Sequence, residues 1–402
     1  MKKKINFTAS IFIGMVLGII LGFIFRNSSN FIVTYLAPIG TVYINLLKLM
    51  VVPMVFVSIV NGVVSLGDIK KIETVGKYTI VYFFFTTAVA IIFGLVFANV
   101  FKGAFPVFEM NNLSYEPTKT SIIDTLVAMF PSNILKPLVE ADMLATIFIA
   151  LLLGFGILQS GESGMKVAKA FSYLNDIILK MIGIILKITP IGVFCLMANT
   201  VAVNGITIVS AIGIVLLITY LTYIIYGAIA YGFSIRVISG ENPLKFFKTI
   251  IPVITTAFTT SSSNATLPLS LEYSEKVGCD KSVSSFVLPL GCTINMDGSA
   301  IYMGILTIFI AKCYGVDLTL VDMVTVVLTS TLASVGVAGV PGSALIMMAM
   351  VLEAIGLPVE GVALVAGVDK LFDMGRTCLN VTGDITCSLA VTKFLHRKNK
   401  KI

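Results

Sequence analysis

The amino-acid sequence predicts an all-α polytopic membrane protein with eight transmembrane helices, two re-entrant helical hairpins, inverted repeats and helices broken at the membrane midplane. Three observations support this fold class. Hydrophobic residues make up 57% of the 402 residues and charged residues 12%, whereas soluble domains carry about 25% charged residues. Two pairs of apolar arms are each too short to cross a hydrocarbon layer of about 30 Å. A stripe of ionisable residues follows the last apolar segment.

The net charge of +7 is concentrated at the two ends of the chain. Lysines at 2–4 and basic residues at 397–401 flank apolar segments, where Lys and Arg mark the cytoplasmic side. We therefore expect both termini in the cytoplasm and no nucleic-acid partner. The six cysteines form no CxxC pair, which argues against a zinc site or a disulfide framework.

The first half of the chain contains six apolar runs that predict membrane spans, although the fourth is short. The first run resembles a signal peptide, but it is long for one and no small-residue cleavage pattern follows it. Residues 102–143 are more polar and form either an external excursion or a peripheral helix. The predicted spans are 9–25, 43–64, 78–101, 144–158, 177–203 and 207–230.

The second half contains two predicted hairpins that enter the membrane from opposite sides. Residues 245–273 form two short apolar arms joined by a serine-rich tip at 259–264, with basic or polar flanks. Residues 323–352 form a second pair of arms joined at 334–342, with acidic flanks. Non-helical backbone at membrane depth is tolerated only where protein buries it or it lines a cavity. Inverted repeats of this kind place a solute site near the midplane.

A predicted span between the hairpins is interrupted at 291–299, where an Asn, an Asp and two glycines occur within an apolar run. Such a segment favours unwound backbone whose carbonyl and side-chain oxygens face inward. Hard cations prefer oxygen ligands of this kind. The sequence therefore predicts cation binding at this interruption.

The ionisable stripe lies in the predicted span 361–389. Asp369, Asp373, Arg376, Asn380 and Asp384 follow one another at steps of four, three, four and four, which places them on one helix face. Charged groups at bilayer depth cost about 2.5–3.5 kcal/mol each on insertion scales, so they mark partners, water or ions. An ordinary wet helix face would explain the spacing, but the apolar composition argues against it. We expect a site for a charged solute.

Four motifs in this half resemble the dicarboxylate and amino acid:cation symporter family, also called the glutamate transporter family. They are SSSNATLP at 261–268, LPLGCTINMDGSAIY at 288–302, ASVGVAGVPGS at 333–343 and DMGRTCLNVTGD at 373–384. LLKLMVVPMVF at 46–56 is a weaker match in the first half. The resemblance implies a sodium-coupled secondary active symporter, not an enzyme, that imports an acidic amino acid, aspartate or glutamate, by an elevator movement.

The resemblance also implies roles for individual residues. Asp373 would hold the substrate ammonium, Arg376 a side-chain carboxylate, and Asn380 with Thr377 the α-carboxylate. The remaining implied substrate contacts are Ser261, Ser262, Ser299 and Val340. One implied sodium site uses Gly291, Asn295, Asn380 and Asp384; a second uses Thr293, Ser334, Val335 and Val337; a third uses Thr86, Thr87, Asn295 and Asp297.

Several positions depart from the family pattern. Thr260 and Met374 occupy places where relatives carry an additional arginine, so the charge balance around Asp373 differs. Met303 replaces a protonatable glutamate of animal relatives, and Phe83 replaces a tyrosine beside the third sodium site. These departures leave a neutral amino acid such as serine, threonine or alanine as an alternative substrate.

The residues themselves allow different interpretations. A C4-dicarboxylate substrate is disfavoured because it offers no ammonium to Asp373, and Arg376 as a purely structural ion-pair partner of Asp369 or Asp373 is a competing interpretation. Residues 381–384 partly match the GxGD motif of intramembrane aspartyl proteases, but the first glycine is missing and the hairpins stay unexplained. A passive channel is a further interpretation, although broken helices around paired charges favour binding over conduction.

By resemblance, the protein is a homotrimer in the plasma (inner) membrane that uses sodium as coupling ion and no organic cofactor. Scaffold helices 1 and 2 span 1–75, helix 3 of the transport domain spans 76–105, and a loop with scaffold helices 4 and 5 spans 106–205. The remaining transport domain, with helices 6–8 and both hairpins, spans 206–402.

Overall fold

A computed structural model describes residues 7–67, 73–107, 127, 129–205, 207–334, 343–366 and 368–399. These residues are almost entirely helical and contain no strand. The principal helices are α1 (Phe7–Ile24), α2 (Ala37–Gly67), α3 (Glu73–Phe101), α4 (Met143–Gln159), α5 (Gly161–Leu186), α6 (Thr189–Asn204), α7 (Thr207–Tyr226), α8 (Pro243–Thr260), α9 (Ser263–Lys276), α10 (Lys281–Ile294), α11 (Asp297–Cys313), α12 (Leu320–Ala333), α13 (Ser343–Ala354) and α14 (Asp369–Asn399).

Shorter helical turns connect these helices. Turns Arg26–Ser28, Ser29–Phe31 and Ile32–Leu36 lead into α2, Lys102–Ala104 follows α3, Lys136–Glu140 precedes α4, and Val359–Val362 with Ala363–Ala366 precede α14. Two π-helical turns, Gly227–Tyr231 and Ser234–Ile238, continue α7. The predicted excursion at 102–143 therefore contains short helical turns, and its residues 108–126 lie outside the described part of the chain.

The amino-terminal helices form one packed group in which α1 lies against α6, and α2 contacts α4, α5 and α6. Gly14, Gly18 and Gly22 recur at steps of four along α1 and face the backbone of α6. A Cβ at Gly18 would lie 2.5 Å from the Phe194 carbonyl oxygen. Small residues at this spacing allow membrane helices to approach closely.

The carboxyl-terminal helices form a second group around α14, which contacts α8, α9, α10 and α11. Helix α3 packs extensively along α11, although α3 lies early in the chain. The two groups touch where α13 meets α2, and Lys48 Nζ forms an ion pair with Glu360 at 2.8 Å. The core thus continues from one group to the other.

Helix breaks occur where the sequence places polar residues among apolar ones. Helices α8 and α9 contact each other and are joined by Ser261 and Ser262, and Ser261 has a left-handed φ of 49°. The interruption predicted at 291–299 is confined to Asn295 and Met296, between α10 and α11. Helices α12 and α13 also pack together, and 335–342 between them lie outside the described residues.

Two predicted spans differ from the structure. The stretch predicted as one span at 177–203 is not one straight helix, because α5 and α6 meet at a bend of 51°. Pro190 lies in the first turn of α6, where no helical hydrogen bond needs its backbone N–H. In the middle of one continuous helix the same proline would remove a hydrogen bond from the ladder. The span predicted from 361 is divided as well, since short turns precede α14 and the long helix begins at Asp369.

Four helical stretches in the described residues are long and apolar enough to cross a membrane, namely Ser29–Val64, Val75–Ala104, Thr207–Ile238 and Lys281–Cys313. The bent pair of α5 and α6 would supply a fifth, and four shorter apolar helices accompany them. The arms α8 and α9 contain 18 and 14 residues, or about 27 and 21 Å of helix. The described part of the chain is helical, without strands, and contains several apolar helices, while eight spans and two hairpins stay a prediction.

Candidate functional site

The ionisable stripe of α14 is buried in the centre of the carboxyl-terminal group. Asp369 and Asp373 are each 6% exposed, and Arg376 is 3% exposed. The Arg376 guanidinium lies between the two carboxylates. Its Nη1 donates to Asp369 Oδ1 at 3.0 Å, and its Nε donates to Asp373 Oδ1 at 3.0 Å. The Arg376 ion pairs considered from the sequence are therefore present, and they engage both aspartates.

Two further side chains complete this ion-pair cluster. Tyr302 on α11 donates its hydroxyl to Asp369 Oδ1 at 2.9 Å, and its ring centroid lies 4.9 Å from the guanidinium carbon of Arg376. Lys370 Nζ lies 3.6 Å from Asp373 Oδ2. The formal charges of the two carboxylates, Arg376 and Lys370 cancel, which makes burial of the cluster tolerable.

A second cluster connects α14 to the break between α10 and α11. The Asn295 Nδ2 donates to Asp384 Oδ1 at 2.8 Å and to the Asn380 carbonyl at 2.9 Å. The Asn380 Oδ1 accepts from the Gly298 N–H at 2.7 Å. Asn295 Oδ1 is buried and has no hydrogen-bond partner among the described residues. An unsatisfied buried oxygen beside a carboxylate is costly for a protein alone and is suited to a hard cation.

Gly291 borders the same cluster. A Cβ at this position would collide with Asp384 Oδ1, and it would also lie 3.1 Å from the Phe83 ring. Only a residue without a side chain therefore leaves room for the carboxylate at this point. The structure thus brings together Gly291, Asn295, Asn380 and Asp384, the four residues that the family resemblance implies for one sodium site.

The third cluster surrounds Asp297, which is fully buried at the start of α11. Thr87 and Thr86 on α3 donate their hydroxyls to Asp297 Oδ1 at 2.7 and 3.2 Å. Tyr231 donates to Oδ2 at 2.8 Å, and the Tyr226 hydroxyl lies 3.4 Å from the same oxygen. Thr87 and Tyr231 therefore each satisfy one oxygen of the buried carboxylate. The single proton of the Tyr226 hydroxyl goes to the nearer Thr86 carbonyl at 2.7 Å, and the Thr86 hydroxyl also lies 3.2 Å from the Phe83 carbonyl.

The remaining predicted site residues make mostly local contacts. The Thr293 hydroxyl bonds the Leu290 carbonyl at 2.9 Å and is exposed, and the Ser334 hydroxyl bonds the Thr331 carbonyl at 2.7 Å. The Thr377 hydroxyl likewise bonds the Asp373 carbonyl at 2.7 Å. The predicted residues Val335, Val337 and Val340 lie outside the described residues.

The tip between α8 and α9 presents two serines with different surroundings. Ser261 is 3% exposed, and its hydroxyl has no partner within the described chain. Ser262 accepts the Ala265 N–H at 3.3 Å and caps α9. Ser299 on α11 is buried, with its hydroxyl 3.8 Å from the Met296 sulfur. Ser261 and Ser299 therefore retain hydrogen-bonding capacity.

The sequence profile of the sodium:dicarboxylate symporter family matches residues 7–394. The chain belongs to this family. It is 34% identical to the proton/sodium-glutamate symport protein of Geobacillus stearothermophilus, over 99% of this chain and 97% of the relative. It is 33% identical to the proton/glutamate-aspartate symporter of Escherichia coli (99% and 95%) and 32% identical to the C4-dicarboxylate transport protein of Bacillus subtilis (98% and 94%).

Membership confirms the family resemblance and the prediction that this symporter is a transporter and not an enzyme. The family and the apolar helices together make the chain a multi-pass membrane protein. The family description supports sodium as a coupling ion, although the names of several relatives include protons as well.

Three tyrosines of this symporter that contact the buried aspartates were not identified from the sequence. Tyr302 ends one of the recognised motifs, so its position beside the ionisable stripe was open to prediction. Tyr226 and Tyr231 occur in an ordinary apolar run, where spacing alone gives no reason to connect them with Asp297. Buried tyrosine hydroxyls usually find a polar partner, which is the only general signal for them.

Proposed function

We propose that this symporter couples sodium entry to import of an acidic amino acid, aspartate or glutamate. The observation that carries the proposal is the buried Arg376 guanidinium, flanked by Asp369 and Asp373. A planar guanidinium binds a carboxylate through two parallel hydrogen bonds. A substrate side-chain carboxylate would replace part of this pairing, and Asp373 would then be free to hold the substrate ammonium.

The rest of the substrate would be held by groups around this pair. In the proposal, Asn380 and Thr377 bind the α-carboxylate, and Ser299 lies nearby. Backbone groups at the two hairpin tips, near Ser262 and Val340, complete the contacts, with Ser261 contributing beside the first tip. The buried, unpartnered hydroxyl of Ser261 supports this part of the proposal.

Sodium would bind at three sites, two of which are the oxygen clusters around Asp384 and Asp297. One proposed site uses Gly291, Asn295, Asn380 and Asp384, supported by the unpaired Asn295 oxygen. Another uses Thr86, Thr87 and Asp297 together with Asn295. A third uses Thr293, Ser334, Val335 and Val337. A cation beside each buried carboxylate lowers the cost of burying that charge, so ion and substrate binding support each other.

A neutral amino acid is the second candidate, and the completeness of the Arg376 pairing favours it. Both aspartates already neutralise Arg376 and Lys370, so a substrate without a side-chain carboxylate would leave these contacts intact. A C4-dicarboxylate fits less well because it offers no ammonium to Asp373. The names of the relatives include glutamate, aspartate and C4-dicarboxylates.

We further propose the architecture implied by the family resemblance. Residues 1–75 and 106–205 would form a scaffold, and 76–105 with 206–402 would form a transport domain that moves as an elevator. The extensive packing of α3 on α11 supports grouping α3 with the second half. The assembly would be a homotrimer in the plasma membrane, with both termini in the cytoplasm.

The test is uptake of radiolabelled aspartate into proteoliposomes, with an inward sodium gradient and without one. Wild type is compared with Arg376→Ala and with Arg397→Ala, a matched control at an exposed arginine near the end of α14. We expect sodium-dependent accumulation in wild type and the control. Arg376→Ala loses two charge-assisted hydrogen bonds to the substrate side-chain carboxylate. The ratio of aspartate uptake to serine uptake should therefore fall by about 100-fold or more below that of wild type.

Different outcomes distinguish the candidates. Accumulation of serine but not aspartate by wild type would favour the neutral substrate. Accumulation of succinate alone would favour a C4-dicarboxylate. Uptake that does not respond to the sodium gradient would contradict sodium coupling.

A further inference from the structure

An apolar groove that opens on the outer surface lies between α7 and α8, on the side of α14 opposite its ionisable stripe. We call it the α7–α8 groove. Residues of α7 and its π-helical continuation form one wall, α8 forms the other, and α14 forms the floor. The groove encloses about 410 Å³ and is lined by Tyr220, Tyr223, Ile224, Gly227, Ala228, Phe247, Ile254, Phe258, Gly375, Cys378, Leu379 and Thr382.

The surroundings of the groove are hydrocarbon in character. Ile224 is 68% exposed at its edge, and Leu217 and Phe233 on the same helical stretch are 71% and 60% exposed. That stretch, Thr207–Ile238, is apolar enough to span a membrane. At the inner end, the Tyr220 hydroxyl is already bonded to the Leu371 carbonyl at 2.6 Å. A water molecule would therefore find few hydrogen-bond partners in this groove, and the acyl chains of the bilayer match its apolar lining better.

The groove is elongated. Phe247, Ile254 and Phe258 recur along α8 at steps of seven and four, so they share one face of the helix. The eleven residue steps from Phe247 to Phe258 correspond to about 16 Å of helix. A long apolar groove of this shape fits one extended hydrocarbon chain better than a compact molecule.

Two exposed and unpaired cations of the described residues lie towards one end of the groove. The helical wall that contains Ile224 ends at Ser234–Ile238 with the exposed Arg236, and α8 begins with the exposed Lys248 next to Phe247. Neither cation forms an ion pair within the described residues. The acidic residue in the intervening turn, Glu241, is paired instead with Lys393 at 2.7 Å. An anionic group at this end would therefore meet two uncompensated cations.

We propose that the α7–α8 groove binds one acyl chain of an anionic phospholipid, whose headgroup lies against Arg236 and Lys248. The chain would pack against Gly375, Cys378 and Leu379 on α14. The opposite face of this part of α14 carries Arg376 and Asn380 of the candidate site. The bound lipid would thus form the outer support of the helix that carries the ionisable stripe.

The absence of tryptophan from the chain provides a direct test. Phe258→Trp places a single fluorophore in the groove, and Phe85→Trp places one on the exposed face of α3, where Phe85 is 69% exposed. Each protein is reconstituted in phosphatidylcholine in two preparations. One contains a minor fraction of phosphatidylglycerol with brominated acyl chains, and the other contains the same fraction of phosphatidylcholine with brominated acyl chains. Bromine quenches a nearby tryptophan, so quenching reports which lipid occupies each position.

At Phe258→Trp we expect brominated phosphatidylglycerol to quench with about a two- to tenfold preference over brominated phosphatidylcholine, as two exposed ion pairs predict. Adding Arg236→Gln and Lys248→Gln should remove the preference, and Phe85→Trp should show none. Equal quenching by the two lipids at both positions would overturn the proposal, as would a preference that survives the double substitution. If Phe258→Trp does not fold, Phe247→Trp reports the same groove. The readout is independent of transport.

Discussion

Gly94 lies where α3 crosses α11 most closely, and replacing it by alanine should separate these helices. A Cβ at Gly94 would lie 2.6 Å from the Ile301 carbonyl oxygen and 3.0 Å from the Ile301 Cα. Both contacts are with backbone, so no side chain can rotate away. Gly213 on α7 supplies the matched control, because a Cβ there meets no heavy atom within 4 Å.

The two substitutions should have opposite effects on stability. Overpacking costs about 1–3 kcal/mol, and alanine in place of glycine within a helix gains up to about 1 kcal/mol. Gly213→Ala should therefore be neutral or stabilising, and Gly94→Ala should be less stable than Gly213→Ala by about 1–3 kcal/mol. The separation should also disturb the Thr87 to Asp297 hydrogen bond, seven residues or about 10 Å away along α3.

The assay is thermal unfolding of the purified proteins in one detergent, followed by size-exclusion chromatography, together with the sodium dependence of uptake. We expect a lower melting temperature for Gly94→Ala than for wild type, and a higher sodium concentration for half-maximal uptake. If Gly94→Ala is as stable as Gly213→Ala, the close crossing does not constrain the two helices as described.

Two further predictions concern single contacts. Thr87→Val removes the hydroxyl 2.7 Å from Asp297 and should raise the sodium concentration for half-maximal uptake about tenfold. Thr79→Val, whose hydroxyl bonds the Val75 carbonyl of its own helix at 2.8 Å, should leave this concentration unchanged. Equal shifts in the two variants would contradict the role given to Thr87. Burial raises the pKa of Glu360, but the hydrogen bond from Lys48, a backbone hydrogen bond and the positive charge of Lys48 together outweigh burial and hold this pKa below its usual value. The pair should therefore stabilise the protein above about pH 4.5 and lose this contribution as pH falls through the lowered pKa, so the melting temperatures of wild type and Glu360→Gln should converge in acid.

The elements near polar interruptions were predictable from the sequence. A serine run marks the turn at Ser261 and Ser262, and Asn295 marks the break before α11, because such residues are rare in apolar helices unless backbone or ligands need them. The helical spacing from Asp369 to Asp384 similarly predicted a shared buried face. Local chemistry determines each of these features, so local sequence carries the information.

Features that depend on tertiary packing were less accessible. The bend before Pro190 depends on how α5 and α6 each pack against α2, although the proline itself is visible in the sequence. Which tyrosines reach Asp297 depends on helix contacts that no spacing in α7 records. The sequence allows two interpretations of Arg376, a structural ion pair with Asp369 or Asp373 and a ligand for a substrate carboxylate. A shared helix face brings these charges together but does not fix the rotamer that each side chain adopts.

The packing of α3 on α11 has a consequence for synthesis of the protein. Thr87 and Asp297 are separated by 210 residues, so at about 5–20 residues per second α3 exists for about 10–40 s before its partner is made. During this interval α3 has to be stable in lipid without α11, which the high mean hydropathy of 2.5 in the most apolar 18 residues of Val75–Ala104 permits. Its threonine hydroxyls can bond their own helix meanwhile, as Thr86 still does with the Phe83 carbonyl at 3.2 Å. Completion of the Asp297 cluster is therefore a late event in assembly, after the amino-terminal helices are already in place.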